Sequence, residues 1–506
     1  MMNYFVLENL FTFNSGTEHA TIKRTQLFNQ SGLPAKIVTR NYNRFLDNDR
    51  DKTGLSAADV VNMYDYFQGT VNVTRVPRPL RLLQQFPLDE YHIVAEDANV
   101  SWLKKAGRNI ARIEVMPATV GIVNTVTYYD RFDNPTVREN FDWRGFKSSV
   151  DYFHPNGELA RQRFLNLSGQ TVLEITHMNI SGQVSPTMWK LVNYKGHNYR
   201  FNFEDQLFLF FLNELSSADP QASFISDRRN LDYVVADMNA SSKWAFLHDT
   251  HLTQPSKATS ELLPAYVTVL ETSSDKFTGI LVLTDAQKAQ LNERYPDLPV
   301  QVVADTFVTD EMLKRGEKRV RKPIILVSGR VAPDKRPEDA ISIFKKVYEA
   351  IPETKLRFIG YPASAEYETE LKDQVKKAGI EAAVEFAGYK TGDDLSREYE
   401  EAQVLLNTSS HEGLGMHLIE AQAAGLPVVS YNVPYGPAVL VKNGVNGVLA
   451  PTGNQSALAE ALIDLFNDDD QWLSMHKSAL EKAQGYSAGN AIKTFKGVVA
   501  RSGVGV

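Results

Sequence analysis

Glu412 and Glu420 stand eight positions apart, across a glycine-containing loop and into a helix, within the stretch Asn407 to Pro427. The stretch follows Val404 to Leu406, which reads as a buried strand, and its helix stops at Gly425. Carboxylates in that setting suit a ligand rich in hydroxyls and phosphate. Glu412 in the loop can accept hydrogen bonds from sugar hydroxyls, and Glu420 down the helix can take a ribose diol. Gly413 and Gly415 let the backbone come close to a ligand. The amides of a helix starting at Leu414 point at it with the positive end of the dipole, a cradle for a diphosphate. The plainer alternative is a capping loop followed by a solvated Glu. The flanking Ser-x-x-Glu-Gly-x-Gly and Ala-x-Ala-Ala-Gly-x-Pro-Val-Val argue for a site. His411 and His417 flank the loop, and His411 is carried as a candidate substrate contact.

Two cations fit the same ligand. Arg330 and Lys335 lie five apart, just after Gly329, in the loop that follows the apolar run Ile324 to Val327. Beside a second helix N-terminus they make a clamp that stabilises a departing diphosphate without a metal. No Asp-x-Asp pair stands at a strand end, and Asp468 to Asp470 falls between terminal helices, so no metal is expected. His248 and His251 form His-x-x-His after the apolar strand Trp244 to Leu247. Zinc would need a third ligand nearby; core or capping roles compete with substrate contact. Gly16, in the first turn of the chain, is where a phosphate or an acceptor can approach. No Cys, Walker loop, Ser-His-Asp arrangement or G-x-G-x-x-G offers another chemistry.

These groups need strands to carry them. Tyr4 to Leu7, the helix after Asn14-Ser15-Gly16-Thr17-Glu18, and Ala35 to Thr39 form a β-loop-α-β start. From about residue 70 to 204 apolar and polar residues alternate. Turn signals recur there at Asp133-Asn134-Pro135, Pro155-Asn156-Gly157, Ser168-Gly169, Ser181-Gly182 and Lys195-Gly196. This predicts an antiparallel meander interrupting an α/β domain that resumes after it. Helices are expected over Gln206 to Leu215 and around Glu261 to Thr272. Asp310 to Pro323 reads as a charged linker, and a second α/β domain starts at Ile324. The expected organisation is residues 1–69 plus 205–310 as a first Rossmann-like domain and 70–204 as the inserted meander. Residues 311–490 form the nucleotide-sugar domain, and 491–506 a helix crossing back.

Composition narrows the class. Hydrophobic residues make up 43% and charged residues 23%, so a 506-residue chain can bury a large core. A net charge of −7 gives no sign of a nucleic-acid partner. The absence of cysteine fits a cytoplasmic protein. Met1 to Phe13 carry no basic n-region, and the longest apolar run, Leu207 to Leu212, is too short to span a bilayer. At most peripheral contact with the inner membrane face is expected.

Glu, seven residues, Glu resembles the E-x7-E signature of retaining GT-B glycosyltransferases, and Gly-Arg-x-x-x-x-Lys-Arg-Pro resembles their cation loop. The whole chain resembles a bacterial subset with a β-rich insertion. That subset includes the teichoic-acid α-glycosyltransferases and the catalytic subunit that places the first GlcNAc on serine-rich adhesins. Ser15-Gly16-Thr17-Glu18-His19-Ala20, Phe141-Asp142-Trp143-Arg144-Gly145, His-x-x-His and Val433-Pro434-Tyr435-Gly436 carry the likeness. The resemblance implies two Rossmann-like domains facing a cleft, with UDP-glucose or UDP-GlcNAc as donor and no separate cofactor. It places His248, with His251 as second choice, near the donor sugar, and the Gly388-Tyr389-Lys390 loop at the base. It also implies transfer with retention, to Ser/Thr of a serine-rich adhesin or, alternatively, to a poly(glycerol- or ribitol-phosphate) teichoic acid. A noncatalytic acceptor-binding subunit is the third reading, and either a partner subunit of that kind or a homo-oligomer is a possible assembly. Basic residues at Arg75, Arg78, Arg81, Lys104, Lys105 and Arg108 would favour the polyanionic acceptor if they gathered on one surface.

Overall fold

The computed structural model describes all residues except 76–85, 87–88, 318–321 and 502–506. The chain forms two compact units. One comprises Met1–Thr12, Ala35–Ala222 and Asp237–Ala240; the other comprises Phe13–Pro34, Ser223–Ala236 and Ser241–Val506.

In the first unit Asn3–Leu7, Ala35–Thr39 and Val60–Asn62 pair as parallel strands. The predicted meander follows: ten antiparallel strands, from His92–Ala95 to His197–Phe201, each paired with the next in sequence. The turn dipeptides do what their composition demands. Ser181 and Gly182 (φ 55° and 86°), and Lys195 and Gly196 (φ 50° and 83°), put two successive residues in the left-handed region, which matches the twist of a tight hairpin. Alternation sends Leu103, Ala111, Ile113, Val123, Val126 and Phe141 into one apolar cluster. The Phe141-Asp142-Trp143-Arg144-Gly145 stretch is a structural tie. The buried Arg144 guanidinium bonds Asp142, Asp65 and the Thr70 carbonyl oxygen, each at 2.7 Å.

In the second unit Ser223–Ser226, Ser242–Phe246, Gly279–Val282 and Val300–Val302 pair in parallel, in chain order. A six-stranded parallel sheet follows. Its spatial order is Val384–Phe386, Lys355–Ile359, Ile324–Ser328, Val404–Asn407, Val428–Tyr431, Gly447–Ala450. The order turns back between Ile324–Ser328 and Val404–Asn407, so the loops leaving those two strands diverge over a crevice, the usual ligand position in such sheets. Ile325, Phe344, Leu356, Phe358, Val404, Leu406 and Leu462 fill the core beneath. Burying each such side chain contributes about 1.5–3 kcal/mol, which lets the loops above carry strain and charge.

Three segments depart from the sequence expectation. Asp310–Glu317 is a helix, not a linker. Acids in its first turn and bases in its last suit the dipole, and Arg315 pairs with Asp393 and Glu400. Glu261 to Thr272 is not one helix. Leu252 bridges Leu262, Pro264–Tyr266 is a 3-10 turn and Thr268–Thr272 a π-turn. Pro264 has no N–H to donate and forces Leu263 into extended backbone (φ −64°, ψ 133°). The helix after the Glu412 loop spans Met416–Ala423 rather than starting at Leu414, because Gly415 (φ 83°) is left-handed. Finally, the C-terminal helix Ala488–Arg501 packs on the helix Gly16–Gln30, with the Phe28 and Phe495 rings edge to face at 5.2 Å.

Candidate functional site

The two loops that flank the turn-back point of the six-stranded sheet bring the predicted cation and carboxylate together. Lys335 ends the 3-10 turn Pro333–Lys335, and its Nζ donates to Glu412 Oε1 at 2.7 Å. Ser409 Oγ donates to the same oxygen at 2.7 Å, and His417 Nε2 lies 3.9 Å from it. Burial pushes the Glu412 carboxyl up. Lys335, His417 and Ser409 outweigh burial and hold it at about 2, so it is ionised at neutral pH. Backbone contacts lock the loops to each other: Thr408 Oγ1 donates to the Lys335 carbonyl oxygen at 2.8 Å, and Ser410 N–H to that of Asp334 at 2.9 Å. Arg330 differs from Lys335. Its side chain is 45% exposed and it bonds Asp334 at 3.0 Å, so much of its guanidinium faces outward.

Gly329 lies where two loops cross. Its N–H donates to the Ile359 carbonyl oxygen at 3.0 Å, and Gly360 N–H donates to that of Gly388 at 2.9 Å. A Cβ on Gly360 would stand 1.9 Å from the Gly329 carbonyl oxygen. Arg330, Tyr361 and Tyr389 therefore leave three neighbouring strand ends side by side.

The Glu412 loop is pinned from its other side. Glu412 N–H donates to the Pro434 carbonyl oxygen at 3.0 Å, and Tyr435 N–H returns to that of Glu412 at 2.5 Å. Val433-Pro434-Tyr435-Gly436 is thus the strap under the loop. The Leu414 side chain is buried, which leaves its backbone as the part able to face a ligand. Gly413 packs directly on His248: an added Cβ would sit 2.1 Å from the His248 carbonyl oxygen and 2.8 Å from Leu283 Cδ1. Neither backbone can yield cheaply. Gly413→Ala is expected to shift Glu412 and cut transfer at least about tenfold, the order of a lost or misplaced active-site contact, with little change in the circular dichroism spectrum. A variant with unchanged kcat/KM would show that the loop tolerates displacement.

Glu420 lies one turn into the helix Met416–Ala423. Lys23 Nζ donates to its Oε1 at 2.5 Å, and Tyr399 OH donates to its Oε2 at 3.2 Å. Burial raises its carboxyl, but Lys23 outweighs this and holds it below its ordinary value. Gly16 opens the helix that carries Lys23, and a Cβ there would lie 3.9 Å from Met416 Cε. On the same helix Glu18 closes a capping box with Ser15 (Ser15 N–H to Oε2, 2.9 Å) and pairs with Arg228. His19 Nε2 lies 2.8 Å from Tyr389 OH. Phe13, Tyr361 and Tyr389 cluster, with the Phe13 and Tyr389 rings edge to face at 5.2 Å.

The histidines separate. His248 Nε2 lies 2.7 Å from Asp227 Oδ1, its ring packs 4.2 Å from Phe246, and Asp227 also binds Arg24. His251 is 1% exposed, with Nδ1 3.5 Å from Gln287 Nε2, and burial pushes it down to about 4. Of the His-x-x-His pair, His248 meets the Glu412 loop through its carbonyl oxygen, and His251 is buried beside Gln287. His411 bonds Ser410 Oγ at 3.0 Å and lies 3.4 Å from Asp249, whose carboxylate raises it. Among the described residues, no group of three or more His, Cys, Asp or Glu could hold a metal ion.

Sequence reasoning missed Lys23, Asp227, Arg228 and Tyr399. Lys23 had a signal: Gly16, His19 and Lys23 repeat on one helix face. Asp227 and Arg228 follow the strand Ser223–Ser226, whose loop has no motif.

Residues 308–483 match the family model described as Glycosyl transferases group 1. Over 476 residues the chain is 23% identical to the UDP-N-acetylglucosamine–peptide N-acetylglucosaminyltransferase GtfA subunit of Streptococcus agalactiae, covering 90% of each. Over 170 residues it is 31% identical to the poly(glycerol-phosphate) alpha-glucosyltransferase of Bacillus subtilis, covering 34% of this chain and 24% of that one. The crystal structure of the pneumococcal O-GlcNAc transferase GtfA in complex with UDP and GlcNAc has a TM-score of 0.83 to it at 18% identity, over 99% of both chains. Residues 308–483, which hold Arg330, Lys335, Glu412 and Glu420, are therefore a glycosyl transferases group 1 domain, carried by a chain with the GT-B fold.

Proposed function

We propose that the chain transfers glucose or GlcNAc from a UDP-sugar to Ser/Thr hydroxyls of a serine-rich polypeptide, with retention and without a metal. The Arg330–Lys335–Glu412 cluster at the turn-back of the parallel sheet carries this reading. Glu412, fixed as an anion, accepts from donor-sugar hydroxyls. Arg330, Lys335 and the amides at the start of the helix Met416–Ala423 stabilise the charge on departing UDP. Glu420 takes the ribose, the Tyr389 loop lies at the base, and His248 holds the Glu412 loop from below. The C1–O bond to the β-phosphate breaks, and the acceptor oxygen bonds C1 on the same face. The acceptor proton passes to the departing phosphate oxygen.

The acceptor reading draws on the GtfA subunit, similar over 90% of both chains. That relative's description as a subunit also motivates a partner chain. Of the described basic residues, Arg75 and Lys105 are already engaged, while Arg108 is exposed and Lys104 half-buried on the hairpin beside Lys105. Arg75 stacks on Trp143 at 4.2 Å and bonds its carbonyl oxygen, and Lys105 pairs with Glu90 at 2.6 Å. Arg78 and Arg81 lie outside the described residues. The meander, with one face of alternating side chains free of its core, is assigned to acceptor or partner contact. Cytoplasmic placement at or near the inner membrane face suits such an acceptor. Among the described residues no helix is long and apolar enough to cross a membrane.

Purified protein offered UDP-glucose or UDP-GlcNAc with a Ser-rich repeat polypeptide or poly(glycerol phosphate) tests this directly. Labelling of the polypeptide, with an α-linkage by NMR, is the expected result. Labelling only of the polyol phosphate assigns the teichoic-acid acceptor instead. Absence of UDP release under all conditions, with a partner subunit added, would make the chain a binding module.

A further inference from the structure

The helix Gly16–Gln30 presents Gly16, His19 and Lys23 on one face, three and four residues apart. Each meets a different part of the candidate nucleotide site: Met416 at its helix start, Tyr389 at the predicted base loop, and Glu420 at the predicted ribose carboxylate. Such a helix is a wall of the site, and Lys23 is its charged contact.

The hydrogen-bond inventory around Lys23 leaves a specific vacancy. Its ammonium has three N–H groups. One goes to Glu420 Oε1 at 2.5 Å and one to Thr306 Oγ1 at 3.1 Å. The side chain is 25% exposed, so the third can reach a ligand. Glu420 is complementary. A carboxylate has about four acceptor positions; Lys23 takes one on Oε1 and Tyr399 OH one on Oε2. Tyr399 is itself fixed, 2.8 Å from Ser328 Oγ. Two acceptor positions remain, one on each oxygen, the spacing that a cis diol's two O–H groups require. Asp305, next to Thr306, feels the Lys23 charge but makes no hydrogen bond to it among the described residues. It is buried, its Oδ1 has no partner among the described residues, and burial pushes its carboxyl up to about 7.

We propose that Lys23 is a specificity-determining residue of the donor site: with Glu420 it reads the ribose diol, donating its remaining N–H to a hydroxyl whose own proton Glu420 accepts. The helix Gly16–Gln30 thereby selects ribonucleotide over deoxyribonucleotide donors. This rests on the reading of Glu420 as the ribose carboxylate.

Calorimetric titration of the full chain with UDP, 2′-deoxy-UDP and 3′-deoxy-UDP separates the two claims. The wild type should bind UDP at least about tenfold tighter than either deoxy analogue, the scale of a hydrogen bond to a charged group. Lys23→Met should weaken UDP about tenfold and shrink the discrimination at one hydroxyl, raising donor KM more than it lowers kcat. Lys23→Arg should restore part of the loss, and Glu420→Gln should reduce discrimination at both hydroxyls. If Lys23→Met binds UDP with unchanged or higher affinity, and Glu420→Gln still loses discrimination, Lys23 is only a resting-state partner that ribose displaces; the proposal then fails while the ribose reading of Glu420 stands. If neither variant changes binding, or the wild type binds no UDP, both fail. Thermal melts of each variant against the wild type remove misfolding as an explanation.

Discussion

Arg330→Ala is expected to lower turnover with UDP-sugar by about 10²–10³-fold, the cost of removing one preorganised donor to a developing anion, while leaving the protein as stable as before. The second half follows from exposure. Arg330 is 45% exposed and pairs with a carboxylate in its own loop, and such surface changes stay within about 0.5 kcal/mol. Lys335→Met should cost a similar factor in turnover but also destabilise, because it leaves Glu412 buried without its cation, a loss of about 3 kcal/mol or more. The pH dependence tells the two apart. In the wild type the Glu412 carboxyl is depressed to about 2. Its stabilisation is therefore full above the unfolded value of about 4.3 and is lost as pH falls toward 2. In Lys335→Met only His417 and Ser409 still oppose burial, so the group rises and that variant's stability deficit should shrink as pH falls toward 5 and protonation removes the stranded charge. Steady-state kinetics beside urea melts at pH 5 and pH 8 would check both. Near-wild-type turnover in Arg330→Ala would remove it from the leaving-group clamp.

How far the sequence could be read depends on how locally each feature is encoded. The Glu412 loop was legible because a strand, two glycines and a helix stop lie within one short stretch, and strand-loop-helix order fixes what such a loop faces. The meander was legible because tight hairpins put successive residues at positive φ, which a glycine at the tip allows, as at Ser181-Gly182 and Lys195-Gly196. What failed was non-local. Glu420 is paired by Lys23, 397 positions away, and Glu18 by Arg228, 210 away; no spacing rule reaches across such a gap. Asp310 to Glu317 was misread because an exposed, charged stretch with one Gly fits a surface helix as well as a linker. Those charges sit at helix ends and on partners, while Gly316 lets the backbone reach Ala423, where a Cβ would stand 2.3 Å from its carbonyl oxygen. His251 could not be placed from the sequence for a related reason. Histidine type and position after a strand fit both a ligand contact and a buried support, and only packing against Gln287 separates them.

The Arg24–Asp227–His248 cluster should carry the largest stability effect in the chain's second unit. Arg24 and Asp227 are both buried, and Arg24 also lies over the Phe246 ring at 5.1 Å. Breaking a buried ion pair from one side leaves a charge without compensation and costs about 3–5 kcal/mol, whereas removing both charges is far milder. Arg24→Met and Asp227→Asn are therefore each expected to lose about that much, and the double variant less than either, a coupling that a double-mutant cycle isolates. Acid should act in two steps. Burial holds His248 below its ordinary value despite Asp227, so the folded protein resists its protonation, and stability declines as pH falls below about 6.5. Burial raises Asp227, but Arg24 and His248 outweigh it and the carboxyl is depressed. Its share is complete above about 3.9 and disappears only in stronger acid. Asp227→Asn should flatten the lower step and deepen the upper one, because it removes the carboxylate that favours protonated His248. Hydrogen exchange of the strand Ser242–Phe246 is the suitable measurement, since a chain of two units does not give one unfolding free energy. The consequence reaches the site through one contact: His248 carries the carbonyl oxygen on which Gly413 rests, so loosening the cluster should lower kcat before it unfolds the protein. A double variant no more stable than the worse single one would mean that the cluster is held by packing around Phe246 and not by charge.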